Sequence, residues 1–156
     1  MKEEEARKLY EGYYGALKAK PFDMEKLVSF WAEDIRYEDV SAQAVCNSKA
    51  EGKAWFEKWW AAWPHNILEV INLFVSGDRL ACEWIWTIPE ESLTSEEAKA
   101  AGVHVAKTGD LKIKGVSIQE LNAEGKIQGN RDYYDITAIS QHLGMPTEEW
   151  IEKLGV

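Results

Sequence analysis

The first 64 residues carry apolar positions at the spacing of helices. Over residues 3–18, one face of a predicted helix carries Ala6, Leu9, Tyr10, Tyr13 and Leu17. Pro21 breaks this helix, and Asp23 can cap a short second one. We expect the buried face of the second helix to consist of Met24, Leu27, Val28 and Trp31. Both helices should therefore lie with one face against another layer of the protein.

A third helix is predicted to start at Ser48 and to end at Pro64. Ser48 and Glu51 have the spacing of a capping box. An aromatic stripe follows at i, i+3, i+4 and i+7, formed by Phe56, Trp59, Trp60 and Trp63. Such a stripe is typical of a helix that packs on a sheet. One or two of its rings, with Trp60 as the candidate, can also line a ligand cavity.

Alternating polar and apolar residues predict the strands. These fall at about residues 35–41, 67–76, 79–88, 109–122 and 126–137. One face of the strand at 79–88 is wholly apolar and consists of Leu80, Cys82, Trp84, Trp86 and Ile88. Helices followed by runs of strands indicate a single α+β domain over residues 1–156. We expect a cone, in which a curved, mainly antiparallel but mixed sheet wraps around the N-terminal helices and encloses an apolar cavity as the default site.

Residues 89–108 interrupt the strand pattern. Within them, Thr94 and Glu97 are spaced to cap a short helix, and Gly102 can end it. A connection of this length is often a lid over a site, and His104 within it is a candidate proton carrier or substrate-binding residue. After the last strand, we expect a C-terminal tail to dock on the outside of the domain, capped by Thr147 and anchored by Trp150.

Composition narrows the classes of partner. The chain has 18 Lys and Arg residues against 27 Asp and Glu residues, which gives a formal net charge of −9. This acidic balance argues against a nucleic acid and against an anionic membrane surface as partners. The eight Trp residues supply large and rigid apolar walls, which suit a small hydrophobic organic ligand.

The cysteines and the first residues give expectations about compartment and cofactors. Cys46 and Cys82 are the only cysteines, and no Cys/His cluster has metal-ligand spacing. We interpret both cysteines as reduced thiols of a cytoplasmic protein, and we expect no metal and no cofactor. The polar, acidic segment Met1–Glu5 lacks the character of a signal peptide, and no apolar run approaches the ~20 residues that span a bilayer.

The last predicted strand carries more charge than a barrel strand needs. After a turn at Gly125 it contains Arg131, Asp132 and Asp135. Asp132 and Asp135 are three positions apart, so on a regular strand they face opposite ways. We predict that Asp132 faces the cavity together with Tyr134. Arg131 and Asp135 are then expected to form an ion pair at the surface or in a dimer. The alternative, in which Asp135 faces the cavity with Arg131 and Tyr133, stays open.

A second carboxylate is predicted to face the same cavity. On the strand at 35–41, Asp39 shares its face with Tyr37 and with Ile35, a natural core residue. If Asp39 and Asp132 both project into a dry, Trp-lined cavity, burial and like charge raise the pKa of each. One carboxyl group could then stay protonated as an acid while the other acts as a base.

The order of these elements resembles a known superfamily. The stretches Trp31–Asp39, Thr108–Asp110 and Gly125–Asp135 are similar to those of the nuclear-transport-factor-two-like superfamily. Its enzymes include SnoaL-like polyketide cyclases, limonene epoxide hydrolases and ketosteroid isomerases. The resemblance covers nearly the whole chain and implies the cystatin-like α+β barrel of that superfamily. It does not select one activity, because this fold carries unrelated chemistries.

The closest local resemblance is to limonene epoxide hydrolase. By position in Gly125–Asp135, Asp132 corresponds to that enzyme's catalytic Asp. Tyr37 corresponds to a Tyr that helps to hold the attacking water, and Asp39 corresponds to an Asn with the same role. The epoxide hydrolases also place an Arg and a second Asp on the third strand, which completes an Asp–Arg–Asp relay. The comparable segment Cys82–Thr87 contains neither residue.

Two other branches of the superfamily give partial matches. By resemblance to ketosteroid isomerase, Asp39 is the general base and Tyr13 is the oxyanion-hole Tyr of the first helix. Ser117 stands where that enzyme has the protonated Asp that completes the hole. SnoaL-like cyclases need the fewest specific catalytic residues. By resemblance to them, a carboxylate, here Asp132, takes a proton from a carbon next to a carbonyl, and polar groups hold the enolate.

These features predict a SnoaL-like enzyme that performs acid–base chemistry without a cofactor. The expected reactions are cyclisation, isomerisation or dehydration of a small, apolar, oxygenated substrate such as a polyketide, terpenoid or steroid-like ring. The predicted catalytic residues are Asp132 as base, Asp39 as its acid/base partner, and Tyr37 and Tyr13 as donors to the oxygen that gains charge. The predicted substrate-binding residues are Trp60, Trp84, Trp86, Ser117, Tyr134 and His104.

Two alternatives stay open at this point. One is an epoxide hydrolase with an altered relay. The other is a non-catalytic module that binds a hydrophobic compound or dimerises, in which Trp60, Trp84 and Trp86 fill the cone. In either case, we expect a homodimer formed through the open face of the sheet.

Overall fold

A computed structural model describes residues 2–153 of the chain. Three helices belong to the N-terminal part, and they are α1 (Glu3–Lys18), α2 (Met24–Val28) and α3 (Lys49–Ala62). Four short helices follow later, and they are α4 (Glu90–Leu93), α5 (Glu96–Ala100), α6 (Ile136–Leu143) and α7 (Thr147–Lys153). The strands are β1 (Trp31–Asp39), β2 (Ala44–Cys46), β3 (Ile67–Ser76), β4 (Arg79–Ile88), β5 (Leu111–Leu121) and β6 (Ile127–Tyr134).

The strands form one mixed sheet. Its order is β2-β1-β6-β5-β4-β3, with β1 and β6 parallel and the other neighbours antiparallel. The sheet is not closed, because β2 and β3 lie at opposite edges. Helix α1 packs on β3, and α3 packs on β1, so the helices cover the inner face. The predicted α+β fold with a mixed sheet and N-terminal helices is confirmed.

The helix starts follow the predicted caps. The side chain of Asp23 accepts from the backbone N–H of Lys26 at 3.1 Å, which caps α2. Ser48 caps α3, because its Oγ accepts from the N–H of Glu51 at 3.2 Å. These caps fix where the chain turns into each helix and therefore which face of α3 meets the sheet.

Trp31 lies in a strand and not in the second helix. Helix α2 ends at Val28, and Trp31 begins β1 opposite Ile127 of β6. The ring is 1 % exposed, and it packs so closely on α3 that a Cβ added at Gly52 would lie 2.9 Å from it. The pairing with β6 and this contact override the helical spacing that grouped Trp31 with Leu27.

The last strand is shorter than predicted and is followed by a helix. β6 ends at Tyr134, and Asp135 caps α6 by accepting from the N–H of Thr137 at 3.1 Å. The predicted pair of Asp135 with Arg131 is therefore replaced by a helix cap. A similar shift occurs in the insertion, where Ser95 caps α5 instead of Thr94.

Residues 89–108 pack beside the C-terminal helices. Leu93, Ala98 and Val103 are buried, and α5 contacts α3. The loop after α5 is tied to α6, because the N–H groups of Ala106 and Lys107 both donate to the carbonyl of His142. The predicted lid segment thus lies against α3 and α6.

The C-terminal helix is anchored by its tryptophan. Trp150 is 1 % exposed, and its ring meets Trp59 of α3 edge to face at 5.6 Å. Helix α7 therefore packs against the back of α3. Among residues 2–153, no helix has the length and apolar character to cross a membrane, and no group of His, Cys, Asp and Glu residues could hold a metal ion.

Candidate functional site

A cavity of about 90 Å³ lies between the inner face of the sheet and helices α1 and α3. Its apolar wall consists of Leu17, Trp55, Phe56, Trp59, Trp60, Leu68, Trp84 and Trp86. Its polar lining consists of Tyr13, Tyr14, Tyr37, Asp39, Asn66, Ser117, Asp132 and Tyr134. A largely apolar wall with a few convergent polar groups is typical of a small-molecule site.

Strand pairing brings the two carboxylates together. Asp39 of β1 and Asp132 of β6 are register partners in the parallel pair, and the N–H of Val40 donates to the carbonyl of Asp132 at 3.0 Å. Neighbouring strands lie about 4.8 Å apart, and partners of this kind project to the same face. Both carboxyl groups therefore face the cavity side by side.

Asp132 is held by donors on both of its oxygens. The Tyr37 hydroxyl donates to Oδ2, and the Ser117 hydroxyl donates to Oδ1 at 2.6 Å. The Ser117 Oγ in turn accepts from the indole Nε1 of Trp84 at 2.9 Å. Because the indole can only donate, the hydroxyl hydrogen of Ser117 is directed to Asp132. This series of hydrogen bonds holds Asp132 as an oriented acceptor.

Asp39 has a different set of partners. Its Oδ1 accepts from the N–H of Ala42 at 2.8 Å, and its Oδ2 accepts from the Tyr134 hydroxyl at 2.9 Å. Ser41 clamps Tyr134 in place, since its Oγ donates to the Tyr134 carbonyl and accepts from the Tyr134 N–H, each at 2.8 Å. The turn after β1 thus positions both Asp39 and its tyrosine.

The electrostatics of the cavity favour protonated carboxyl groups. Burial raises the pKa of Asp39 to about 7, and the charge of nearby Asp132 adds to this shift. Burial also raises the pKa of Asp132, while hydrogen bonds from Ser117 and Tyr37 oppose that rise. No Lys, Arg or His is among the cavity-lining residues of the described chain. The two carboxyl groups therefore differ in their partners and share no cation.

The tyrosines remain hydrogen-bond donors. Burial raises the pKa of Tyr37 and of Tyr134. Burial likewise raises the pKa of Tyr13, while donors on Trp31 and Gln119 partly oppose that rise, and its hydroxyl hydrogen has no acceptor among the described residues. The hydroxyl hydrogen of its neighbour Tyr14 is already used, because it donates to Oε1 of Gln119 at 3.4 Å. Tyr13 is thus an uncommitted donor in the cavity wall.

Nine of the ten predicted site residues line the cavity. They are Asp132, Asp39, Tyr37, Tyr13, Trp60, Trp84, Trp86, Ser117 and Tyr134. His104 is the exception, because it is exposed in the loop that α6 holds through Ala106 and Lys107. None of residues 89–108 lines the cavity, so His104 is not in a position to bind a ligand there.

Some lining residues were not predicted from the sequence. Tyr14, Leu17 and Trp55 lie on the helices, where spacing marked a buried face without separating core from cavity wall. Asn66 carries no such signal, because it stands alone between a proline-ended helix and the first residue of β3. Its place in the cavity could not be inferred without the packing of α1 and α3.

Strand β4 shows how the segment that would carry the Arg and Asp of an epoxide-hydrolase relay is arranged. Its one carboxylate in the relevant segment, Glu83, is exposed on the other face and accepts from the side chain of Asn72 at 2.6 Å. The cavity side of that segment is formed by Trp84 and Trp86. The resemblance to the epoxide hydrolases is therefore limited to Tyr37, Asp39 and Asp132.

Structural neighbours share this fold. AclR from Streptomyces galilaeus superposes with a TM-score of 0.70 at 19 % identity, covering 92 % of this chain and 83 % of its own. A hypothetical protein with a ketosteroid isomerase-like fold from Catenulispora acidiphila gives a TM-score of 0.68 at 14 % identity, covering 90 % of this chain and 95 % of its own. At these identities the likeness concerns the fold alone.

Sequence comparison gives a narrower assignment. Cyclase aurE from Calcarisporium arbuscula is 28 % identical over 112 residues, which is 71 % of this chain and 74 % of that protein. The SnoaL-like domain matches residues 10–129, a span that includes β1 to β5, the start of β6 and most of the cavity wall. The chain therefore belongs to the SnoaL-like domain family.

Proposed function

We propose that this protein is an enzyme that uses acid–base chemistry of its own side chains to cyclise, isomerise or dehydrate a small, apolar, oxygenated substrate. The observation that carries the proposal is the pair Asp39 and Asp132, which project from adjacent strands into one aromatic cavity. Paired carboxyl groups with different environments are a common basis for separate acid and base roles. Membership of the SnoaL-like family and similarity to a protein named cyclase support the same class of reaction.

Asp132 is the base in this proposal. Its carboxylate takes a proton from a carbon next to the substrate carbonyl. The C–H electron pair becomes the carbon–carbon double bond of the enolate, and the π pair of the carbonyl moves to its oxygen. Ser117 and Tyr37 keep the carboxylate oriented by donating to it. We predicted Tyr37 as a donor to the substrate oxygen, but its hydroxyl is engaged by Asp132, so we assign it a positioning role.

Tyr13 and Asp39 complete the proton transfer. The uncommitted hydroxyl of Tyr13 donates to the oxygen that gains charge. Asp39, with a pKa of about 7, is partly protonated near neutral pH and can return a proton to the substrate. A group whose pKa lies near the working pH serves equally well as acid and as base, which suits reactions that end with reprotonation.

The aromatic wall indicates the substrate class. Trp60, Trp84 and Trp86 line an open cavity and do not fill it, which supports a ligand-binding role over a plugged core. Flat or ring-shaped apolar molecules match such walls, so polyketide, terpenoid or steroid-like rings are the proposed substrates. Epoxide opening remains the weaker candidate, because the cavity lining has no Arg to complete the relay.

Hydrogen exchange of a simple ketone tests the proposal. 2-Tetralone is an apolar bicyclic ketone with acidic hydrogens next to its carbonyl. In D2O, the wild-type protein is expected to accelerate exchange of these hydrogens over the buffer rate, followed by NMR. Asp132→Asn should reduce the catalysed exchange by about 100-fold or more, the range expected for loss of a general base.

A matched control separates the site from the fold. Asp34 lies on β1 like Asp39 but is exposed, so Asp34→Asn should leave the exchange rate unchanged. Binding of 2-tetralone without any catalysed exchange would support the non-catalytic module instead. Full exchange activity in Asp132→Asn would overturn the assignment of the base.

We also propose that a second copy of the chain covers the outer face of the sheet, meaning the strand positions that alternate with the cavity-lining ones. This face exposes Val45, Ile67, Ile71, Phe74, Val116 and Tyr133. Acidic residues Glu69 and Glu83 lie on β3 and β4, and basic residues Lys112 and Lys114 lie on β5. A two-fold axis through the face would set the acidic strands of one copy against the basic strand of the other.

A further inference from the structure

Asn66 places a polar group in the cavity beside a different part of the sheet from the strands that carry the two carboxylates. It precedes β3, which is an edge strand, and four steps in strand order separate β3 from β1 with its Asp39. Asn66 is 2 % exposed and lines the cavity. The nearby apolar wall includes Leu17 of α1 and Leu68 of β3. The cavity therefore has a second polar point within an apolar region.

The orientation of the Asn66 amide is set by its neighbours. Its Nδ2 donates to the carbonyl of Trp63 at 2.9 Å, and because a carbonyl only accepts, Oδ1 must be the atom that points elsewhere. The backbone of Asn66 is held as well, since Lys20 Nζ donates to its carbonyl at 2.5 Å. Oδ1 accepts no side-chain hydrogen bond from the described residues, and since Asn66 lines the cavity while Nδ2 is held by Trp63, we infer that Oδ1 faces the cavity.

A fixed, unpaired acceptor selects between ligands. A ligand that covers Oδ1 with an apolar group removes water from it and gives no hydrogen bond in return, which is unfavourable. A ligand with a hydroxyl at that point replaces the lost water. Since Oδ1 needs no rearrangement to accept, the gain is not offset by ordering of the side chain.

We propose that Asn66 is a specificity-determining residue, whose Oδ1 accepts a hydrogen bond from a hydroxyl group at the end of the substrate remote from the reacting carbon. The inference rests on the proposed function, because the carboxylates define which end of the substrate reacts. It narrows the substrate class to ring compounds that carry an oxygen function at one end and a free hydroxyl at the other.

A purely structural role for Asn66 makes a different prediction. The contact of Nδ2 with Trp63 satisfies a carbonyl at the end of α3, and any substitution that removes this donor weakens the fold. Asn66→Ala removes the donor and the acceptor together. Asn66→Asp removes the donor and keeps an acceptor in the same place. The two variants therefore separate loss of the helix contact from loss of the ligand contact.

Binding of two matched ketones tests the proposal. 6-Hydroxy-2-tetralone and 6-methoxy-2-tetralone differ at the remote oxygen, which can donate in the first and carries a methyl group in place of its hydrogen in the second. Calorimetry gives both dissociation constants. We expect the wild type to bind the hydroxy compound about tenfold more tightly, the effect of a single buried hydrogen bond. Asn66→Ala should bind both compounds equally, whereas Asn66→Asp should keep the preference despite a lower melting temperature.

The control is an asparagine within β3, the strand that Asn66 precedes. Asn72 is exposed on β3, so Asn72→Ala should keep the tenfold preference. Equal binding of the two ketones by the wild type would overturn the proposal, and so would an unchanged preference in Asn66→Ala or its loss in Asn66→Asp. These results are independent of 2-tetralone exchange, so the specificity proposal can fail while the proposed function stands.

Discussion

At the scale of single residues, the carboxyl group of Asp39 is the clearest compromise between stability and chemistry. It is 5 % exposed and keeps a pKa of about 7 because burial disfavours its charged form. In the unfolded chain the same group has a pKa of 3.8. The folded state therefore binds a proton that the unfolded state releases between these two pH values.

The sign of this linkage gives a stability prediction for Asp39→Asn. Between pH 3.8 and about 7 the native state holds more protons, so the free energy of unfolding of the wild type falls as pH rises through that window. Asparagine is neutral throughout and can still accept from Ala42. Between pH 4 and pH 8, the variant should gain as much as about 4 kcal/mol relative to the wild type.

Urea unfolding at the two pH values measures this difference. Asp34→Asn, on the exposed side of the same strand, should track the wild type at both pH values. A constant difference between wild type and Asp39→Asn from pH 4 to pH 8 would show that Asp39 titrates normally in the folded protein.

The position of a residue could be predicted when it depends on its neighbours in the sequence, and not when it depends on long-range pairing or packing. The inward direction of Asp132 follows from strand alternation, and the structure places it in the cavity as expected. The engagement of Tyr37 by Asp132 depends on parallel pairing of β1 with β6, a long-range feature that alternation does not contain. Asn66 was not predicted and His104 was assigned to the cavity, because both positions depend on how α1, α3 and α6 pack.

At the scale of elements, the pairing of β4 with β5 orients Asp132, the proposed base. Gly115 of β5 lies opposite Trp84 of β4, and a Cβ added at Gly115 would come within 2.4 Å of the Trp84 ring. The absence of a side chain there lets the indole lie flat across β5 and reach Ser117. Since Ser117 in turn donates to Asp132, the close packing of Trp84 on Gly115 helps to orient the Asp132 carboxylate.

Gly115→Ala should therefore impair the site through Trp84. The added methyl group must displace the ring, which breaks the indole bond to Ser117 and should lower stability by about 1–3 kcal/mol. Exchange of 2-tetralone should fall along with it, since Asp132 loses its oriented donor. Gly15→Ala is the matched control, because nothing lies within 4 Å of a Cβ at Gly15 and alanine favours a helix. Equal activity and stability of the two variants would contradict this account of β4 and β5.

Most elements were predictable, and the exceptions have physical causes. The strands β3 and β4 match their predicted limits, because their alternation is strong and the turn at Gly77 is clear. Trp31 was assigned to a helix because four residues of spacing cannot distinguish a last helical turn from the start of a strand. Helix α6 was missed because the alternation around Tyr134 continues into its first residues, and only the cap at Asp135 marks the change.

At the scale of the whole molecule, the sheet leaves one face without a layer. Phe74 is 63 % exposed, and its partner Ala81 pairs in turn with Ile118, which forms an apolar row across three strands. The proposed second copy would bury this row. Phe74→Glu adds a charge at its edge and should shift the protein to the monomer, as measured by light scattering after gel filtration.

Ala50→Glu is the control for the dimer prediction, because Ala50 is exposed on α3 and away from the sheet. In light scattering, this variant should have the same molar mass in solution as the wild-type dimer. A wild-type protein that is monomeric at high micromolar concentration would contradict the proposed dimer. The cavity is lined by elements of one chain, so the monomeric variant should still catalyse exchange.

The most direct test of the two-carboxylate account is the pH dependence of 2-tetralone exchange in the wild type, Asp39→Asn and Asp132→Asn. The wild type should give a bell-shaped profile whose upper limb lies near pH 7, because exchange needs Asp132 charged and Asp39 protonated. Asp39→Asn should lose that upper limb, and Asp132→Asn should lose about 100-fold or more of the catalysed rate at every pH. An upper limb near pH 7 that persists in Asp39→Asn, or an undiminished catalysed rate in Asp132→Asn, would contradict the account.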